Sequence, residues 1–176
     1  MKNNTIYSFI IFIVILGLFV FSIIYFQPRV IEKETITKVP ELHKVISVID
    51  GDTIEAEVDG KTETIRLLGI DTPEVNSPYT EEECFGQEAK EYATQLLNNQ
   101  EIYLIPDKQS SNRDKYNRLL RYVFLPDGLF VDAELIKNGY AYNYIYEPFE
   151  FMKQFDFWEK EAKKNKMGLW GECFDN

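Results

Sequence analysis

The chain has 176 residues, with 19 Lys and Arg, 29 Asp and Glu, one His and two Cys, and a formal net charge of −10. That length suits one ordinary domain plus an appendage, because single cores run to roughly 100–200 residues. One His and two Cys exclude multi-His metal centres and four-Cys zinc sites, the acidic excess excludes coating of nucleic acid by bulk positive charge, and 13 Phe with 11 Tyr exclude a long disordered chain.

Residues 1–5 are a short flank, and residues 6–26, IYSFIIFIVILGLFVFSIIYF, are an uncharged stretch of 21. At 1.5 Å per residue such a helix reaches roughly 31 Å, enough to cross the hydrocarbon core of a bilayer. A buried soluble helix would carry a polar stripe, and this one does not. A cleavable signal would have an apolar run of ~7–15 residues ending in small side chains, whereas this run ends in Ile24, Tyr25 and Phe26. It therefore reads as an uncleaved transmembrane anchor, with cleavage and secretion as the alternative. Lys2 and the free amine favour an internal N-terminus, although Arg29, Lys33 and Lys38 flank the other end. The short flank and the domain behind the segment place the domain outside the cytoplasm. All 29 acidic residues and all but one of the 19 basic ones lie beyond Gln27, which leaves that part at −11. Residues 27–42, with mixed charges and two prolines, read as a stalk to a domain over 43–176.

Residues 44–50 (KVISVID) and 52–58 (DTIEAEV) are short and β-branched. In the second, Ile54, Ala56 and Val58 alternate with Thr53, Glu55 and Glu57, the period of a half-buried strand. Asp59-Gly60 signals a hairpin before a third strand over 62–70, TETIRLLGI. The period then switches: Ala89, Tyr92, Ala93, Leu96 and Leu97 share one face of a helix over 87–99. Strands over 101–106 and 118–125 follow, closed by Pro126-Asp127-Gly128. A short helix fits 132–138 before Gly139, and a long one fits 149–167 before Gly168, with Phe151, Phe155, Trp158 and Ala162 on one face. Three meandering strands, a helix and a hairpin are the order of a five-stranded OB-type barrel. The expected fold is α+β, with that barrel, about three helices and one preceding transmembrane helix. Such a fold alone specifies no reaction.

Two acidic clusters sit at strand ends: Asp50-Gly51-Asp52-Thr53, and Asp71-Thr72-Pro73-Glu74. Either alone reads as a turn. Asp52, however, shares the parity of Ile54, Ala56 and Val58, which puts a carboxylate on the apolar face at the barrel rim. That is costly unless a cation or donor meets it. Consecutive strands bring Asp71 towards Asp52, and carboxylates with a backbone carbonyl are hard ligands of the kind Ca²⁺ prefers. Arg66 lies in an apolar strand, and Arg118 follows the charged run Arg113-Asp114-Lys115-Tyr116-Asn117. Each has a plain reading, a structural ion pair and a solvated loop. Together, two planar guanidinium groups facing a carboxylate-bound cation suit a phosphodiester. The run Tyr140, Tyr142, Tyr144 and Tyr146 is either packing or a platform for stacking a base.

With VIDGDTI at 48–54, IRLLGIDTPE at 65–74, FGQEA at 85–89, RDKYNR at 113–118, VDAELIKNGYA at 131–141, Tyr144–Pro148 and GLW at 168–170, the chain resembles the staphylococcal nuclease (thermonuclease) family over about residues 44–171. The resemblance implies a Ca²⁺-dependent phosphodiesterase that cleaves DNA and RNA with little sequence preference at the 5′-oxygen bond, leaving 3′-phosphates. Carried onto this chain, it implies Asp52 and Asp71 as Ca²⁺ ligands through carboxylates and Thr72 through its carbonyl. It implies Glu74 as general base or positioner of the attacking water, and Arg66 and Arg118 on the phosphate. Asp114, Tyr116, Tyr144 and Tyr146 match positions lining the nucleotide pocket. A monomeric catalytic domain held at the membrane is expected.

Three departures stand out. Glu81-Glu82-Glu83 occupies a loop where the family's best-known member carries lysines, which implies weaker, more salt- and Ca²⁺-sensitive substrate binding. Arg113 replaces a Thr and restores local positive charge, and Asn117 replaces a Gly at a turn that Asn tolerates. Cys84 and Cys173 are absent from that member; outside the cytosol two Cys in one small domain are expected to pair. The competing reading is a non-catalytic OB-fold module at the membrane that binds nucleic acid or protein. Loss of Asp52, Arg66, Glu74 or Arg118 would favour it, and all four are present.

Overall fold

The computed structural model describes residues 40–76, 78 and 81–174, and a compact unit begins at Pro40. The expected flank, anchor and nearly all of the stalk lie outside the described residues. No helix among those described is long and apolar enough to cross a membrane.

Five strands close a barrel: β1 (Leu42–Val48), β2 (Thr53–Val58), β3 (Lys61–Leu67), β5 (Glu101–Ile105) and β6 (Leu119–Phe124), in the order β1-β2-β3-β6-β5. Consecutive strands pair antiparallel, with Val48 opposite Ile54 and Thr53 opposite Arg66, while β3 and β6 run parallel. The period-2 pattern decides which side chains fill the barrel. Ile54, Ala56, Ile65, Leu67, Ile102 and Val123 are buried in one core. Arg66 falls between two of them and takes the opposite parity.

Helix α1 (Gly86–Leu97) buries Ala89, Ala93 and Leu97 from the face its spacing predicts. Helices α2 (Val131–Lys137) and α3 (Met152–Lys164) pack on each other, and Phe155 and Ala162 of α3 are buried. Phe130, Phe149, Phe151 and Trp158 surround Phe155 with ring centroids 5.3–6.3 Å away.

Three boundaries differ from the sequence expectation by three residues, and the others by less. The third strand stops at Leu67, not residue 70, because Gly69 turns the chain at φ 79° where a Cβ would collide with the Phe149 ring. The chain resumes as β4 (Ile70–Asp71), which pairs with β7 (Tyr142–Asn143) outside the barrel. The last long helix begins at Met152, not residue 149, and ends at Lys164, since Lys166 and Gly168 adopt φ 52° and 51°. A fourth helix, α4 (Leu169–Glu172), follows where about three were expected. Four residues are too few for a period to announce it.

Asp132 is fully buried at the start of α2. One carboxyl oxygen accepts the Val123 N–H at 2.9 Å, and the other has no partner. Burial pushes this carboxyl up to about 8, with the Val123 N–H and, more weakly, the Arg66 charge opposing. The folded protein thus keeps a proton that the unfolded chain releases from its ordinary value of 3.8 upwards. Stability is fully present below that value and falls as pH rises towards 8, by about 1.4 kcal/mol per pH unit for one proton. Asp132→Asn keeps the acceptor for Val123 and removes the charge. Urea unfolding should show the variant more stable than the parent at pH 8, with the difference shrinking towards pH 4. A variant less stable at pH 8 would contradict this.

Candidate active site

The turn from β1 into β2 carries Asp50 and Asp52. Asp52 is 5 % exposed. Its Oδ2 accepts the Thr72 N–H at 2.7 Å and the Thr72 hydroxyl at 3.0 Å, and its Oδ1 accepts the Thr53 hydroxyl at 3.0 Å. Arg66 bridges the two acidic clusters. Its Nη1 lies 3.0 Å from Asp52 Oδ2 and its Nη2 2.6 Å from Asp71 Oδ1. Nη1 also donates to the carbonyls of Ile70, at 2.8 Å, and Leu67, at 3.2 Å. The proximity of Asp71 to Asp52 that the strand order suggests is made through this guanidinium.

Negative charge is in surplus here. Burial, then the charge of Asp52, pushes Asp50 up to about 6. Burial also raises Asp71, with Asp52 and Glu83 adding and Arg66 opposing. Glu74 is raised by burial and then by Asp52, Glu83 and Asp71. One arginine does not neutralise this group.

The second arginine is positioned by its own turn. Asp114 Oδ1 accepts the backbone N–H of Tyr116 and of Arg118 at 2.9 Å each, while Oδ2 accepts Arg118 Nε at 2.7 Å. Against a burial penalty, these bonds hold the Asp114 carboxyl below its ordinary value. Asn117 takes φ 68° to close the turn. Arg118 Nη1 reaches to 3.4 Å from the Thr53 hydroxyl, beside Asp52. Tyr116 is 68 % exposed, with Arg118 Cζ 5.4 Å from its ring centroid.

Asp50, Asp52, Arg66, Asp71, Glu74 and Arg118 line one cleft of about 340 Å³, whose walls continue through Asp114, Lys115, Tyr116, Tyr144 and Glu147. Thr72 stands behind Asp52 and is not part of the lining. Tyr146 is 81 % exposed and meets Tyr144 edge-to-face at 5.2 Å, outside the cleft wall. Tyr140 stacks on Tyr92 at 4.1 Å, and Tyr142 packs edge-on against Trp170 at 5.2 Å, so the tyrosine run divides between packing and cleft. The expected gain of positive charge from Arg113 is absent, because Glu63 takes its guanidinium at 2.8 and 3.0 Å.

Sequence reasoning left Asp50, Lys115 and Glu147 without roles, although all three lie inside the recognised motifs. Cys84 and Cys173 are joined in a disulfide, with their Cα atoms 6.0 Å apart.

No group of three or more His, Cys, Asp or Glu among the described residues is arranged to hold a metal by itself. The donors at the cleft are nonetheless all hard oxygens with excess negative charge, and Asp52 Oδ1 accepts only one bond. A carboxyl oxygen has two lone pairs. The residues therefore fit a hard divalent cation completed by water.

A closed OB-type barrel with two arginines and a carboxylate cluster in one cleft defines the class, an α+β barrel with a charged rim site. Residues 64–172 match the family model described as staphylococcal nuclease homologue. The chain is 38 % identical over 131 residues to the thermonuclease of Staphylococcus hyicus, covering 74 % of this chain and 76 % of that one. Endonuclease YncB of Bacillus subtilis is 40 % identical over 126 residues, 70 % of this chain and 59 % of its own. An uncharacterized protein of Methanocaldococcus jannaschii is 38 % identical over 146 residues, 72 % and 70 % of the two chains. The chain belongs to the staphylococcal nuclease family, and it is a nuclease.

Proposed function

We propose that the protein is a Ca²⁺-dependent, sequence-nonspecific phosphodiesterase that hydrolyses DNA and RNA at the 5′-oxygen bond and leaves 3′-phosphates. The observation that carries this is the convergence of Arg66 and Arg118 with Asp52, Asp71 and Glu74 on one cleft. Asp52 and Asp71 through carboxylates, and Thr72 through its carbonyl, would hold Ca²⁺. Bound there, the ion supplies Lewis-acid stabilisation of charge on the phosphoryl oxygens.

The chain's own residues do the rest. Glu74 accepts a proton from the attacking water or orients that water, and its raised affinity for a proton suits a base. The water oxygen bonds to phosphorus, the bond to the 5′ oxygen breaks, and that oxygen leaves as a hydroxyl after taking a proton from solvent. Arg66 and Arg118 meet the phosphoryl oxygens with preset donors, so little reorganisation is needed as charge develops. Asp114 acts by holding Arg118. Tyr116, Tyr144 and Tyr146 offer ring faces to bases, a contact indifferent to sequence.

We place this catalytic domain, as a monomer, outside the cytoplasm behind a stalk over 27–42 and an anchor over 6–26; the Cys84–Cys173 bridge supports an oxidising compartment. The test is cleavage of single-stranded DNA with Ca²⁺ and with chelator. Cleavage with Ca²⁺ giving 3′-phosphate ends is expected. Binding without cleavage would replace this reading with the non-catalytic module. Ca²⁺ at about 100 times its Kd should also stabilise the fold by about 2.7 kcal/mol, seen as a higher Tm that Asp52→Asn abolishes.

A further inference from the structure

The mechanism leaves unused the acidic corner where the loop after Glu74 enters α1. Glu83 grips the Glu74 peptide from both sides: its N–H donates to the Glu74 carbonyl at 2.9 Å, and its Oε2 accepts the Glu74 N–H at 3.1 Å. The Gly86 N–H donates to the Glu83 carbonyl at 3.0 Å, which closes the corner into a turn. A Cβ at Gly86 would collide with the Glu74 carbonyl, so α1 starts in direct contact with that peptide. The residue after Glu83 is Cys84, bonded to Cys173 at the end of α4, 89 residues on. The bridge therefore fastens to the C-terminal helix a corner that fixes the Glu74 backbone. Glu83 and Cys84 are both exposed, so a dithiol can reach the bridge.

We propose that Glu83 is a positioning residue for Glu74, and that the Cys84–Cys173 disulfide holds it in place, so that turnover depends on the oxidised bridge. This rests on the reading of Glu74 as base or water-positioner. Glu83 is not among the residues that line the cleft; it sets where the Glu74 carboxylate starts. Opening the bridge leaves the grip attached only through α1 and the loop. Reduction is balanced by the reagent: a dithiol gives up two electrons and two protons, ends as its own cyclic disulfide, and leaves Cys84 and Cys173 as thiols.

The test uses the full chain with Ca²⁺ and single-stranded DNA, reading kcat and KM separately. Glu83→Ala should lower kcat about tenfold, since small misplacement of a catalytic group costs that much or more, with KM unchanged or lower because a negative charge near the cleft is gone. Glu83→Gln, whose side-chain oxygen still accepts the Glu74 N–H, should recover most of kcat. A dithiol should lower kcat of the parent several-fold and reversibly, and should do nothing further to a Cys84→Ser, Cys173→Ser double variant. The proposal is overturned if Glu83→Ala keeps parental kcat, if Glu83→Gln is as slow as Glu83→Ala, or if reduction leaves kcat unchanged. Glu74→Gln in parallel separates the two readings: full activity there removes the role of Glu74 itself, whereas lost activity there with unaffected Glu83 variants removes only the positioning.

Discussion

Glu74→Gln lowers the rate of DNA cleavage by about 10²–10⁴-fold, the usual contribution of a positioned general base, and leaves stability unchanged or slightly higher. The two contacts that fix residue 74 are to its peptide N–H and carbonyl, and the substitution touches neither. Gln has the size of Glu but cannot take a proton from water. Removing one carboxylate also relieves repulsion, because Asp52, Glu83 and Asp71 all press on the Glu74 charge. The expected pattern is a collapse of kcat with KM unchanged or lower. Steady-state kinetics on single-stranded DNA beside a urea melt reads both halves. Parental turnover in the variant would remove Glu74 from the chemistry and leave fold and family untouched.

Arg66→Ala strikes catalysis and stability together. A preset donor to the developing charge is worth about 10²–10³-fold in kcat. The same guanidinium is the counter-charge to Asp52, in a pair with side chains 12 % and 7 % exposed. Breaking a buried pair from one side leaves an uncompensated charge and costs about 3–5 kcal/mol. Arg66→Lys should fall between, because one ammonium cannot span Asp52, Asp71 and the two carbonyls that Arg66 meets. The decisive comparison is Arg66→Ala with Asp52→Asn. If the orphaned carboxylate is the source of the instability, the double variant regains part of the urea midpoint lost by Arg66→Ala alone. No recovery would move the cause to the carbonyl contacts.

The site was legible because its residue types are local and paired with turn chemistry. Asp52, Asp71, Glu74 and Arg118 flank strands whose ends the period marks, and all four line the cleft with Arg66. The readings that failed were decided by distant partners. Arg113 looked like free positive charge beside the cleft, yet Glu63, 50 residues away, neutralises it. Glu83 looked like one of three repelling charges, yet it is tied to the Glu74 peptide. The tyrosine run has one period along the chain but meets different neighbours, so Tyr140 and Tyr142 pack while Tyr144 lines the cleft.

Sequence by itself determined the barrel's strands and main helices, the two acidic turns, the arginine pair and the family. These follow from side-chain period and turn propensity, which act over a few residues. The −11 carried beyond Gln27 belongs with them: it describes a surface that does not coat nucleic acid. Tertiary structure alone decided which carboxylates share Arg66, that Asp114 serves Arg118, that Asp132 is buried with one oxygen unpaired, and that β4 leaves the barrel for β7. Those depend on burial and on contacts between segments far apart in the chain. No local pattern encodes the electrostatic cost or gain of such a meeting.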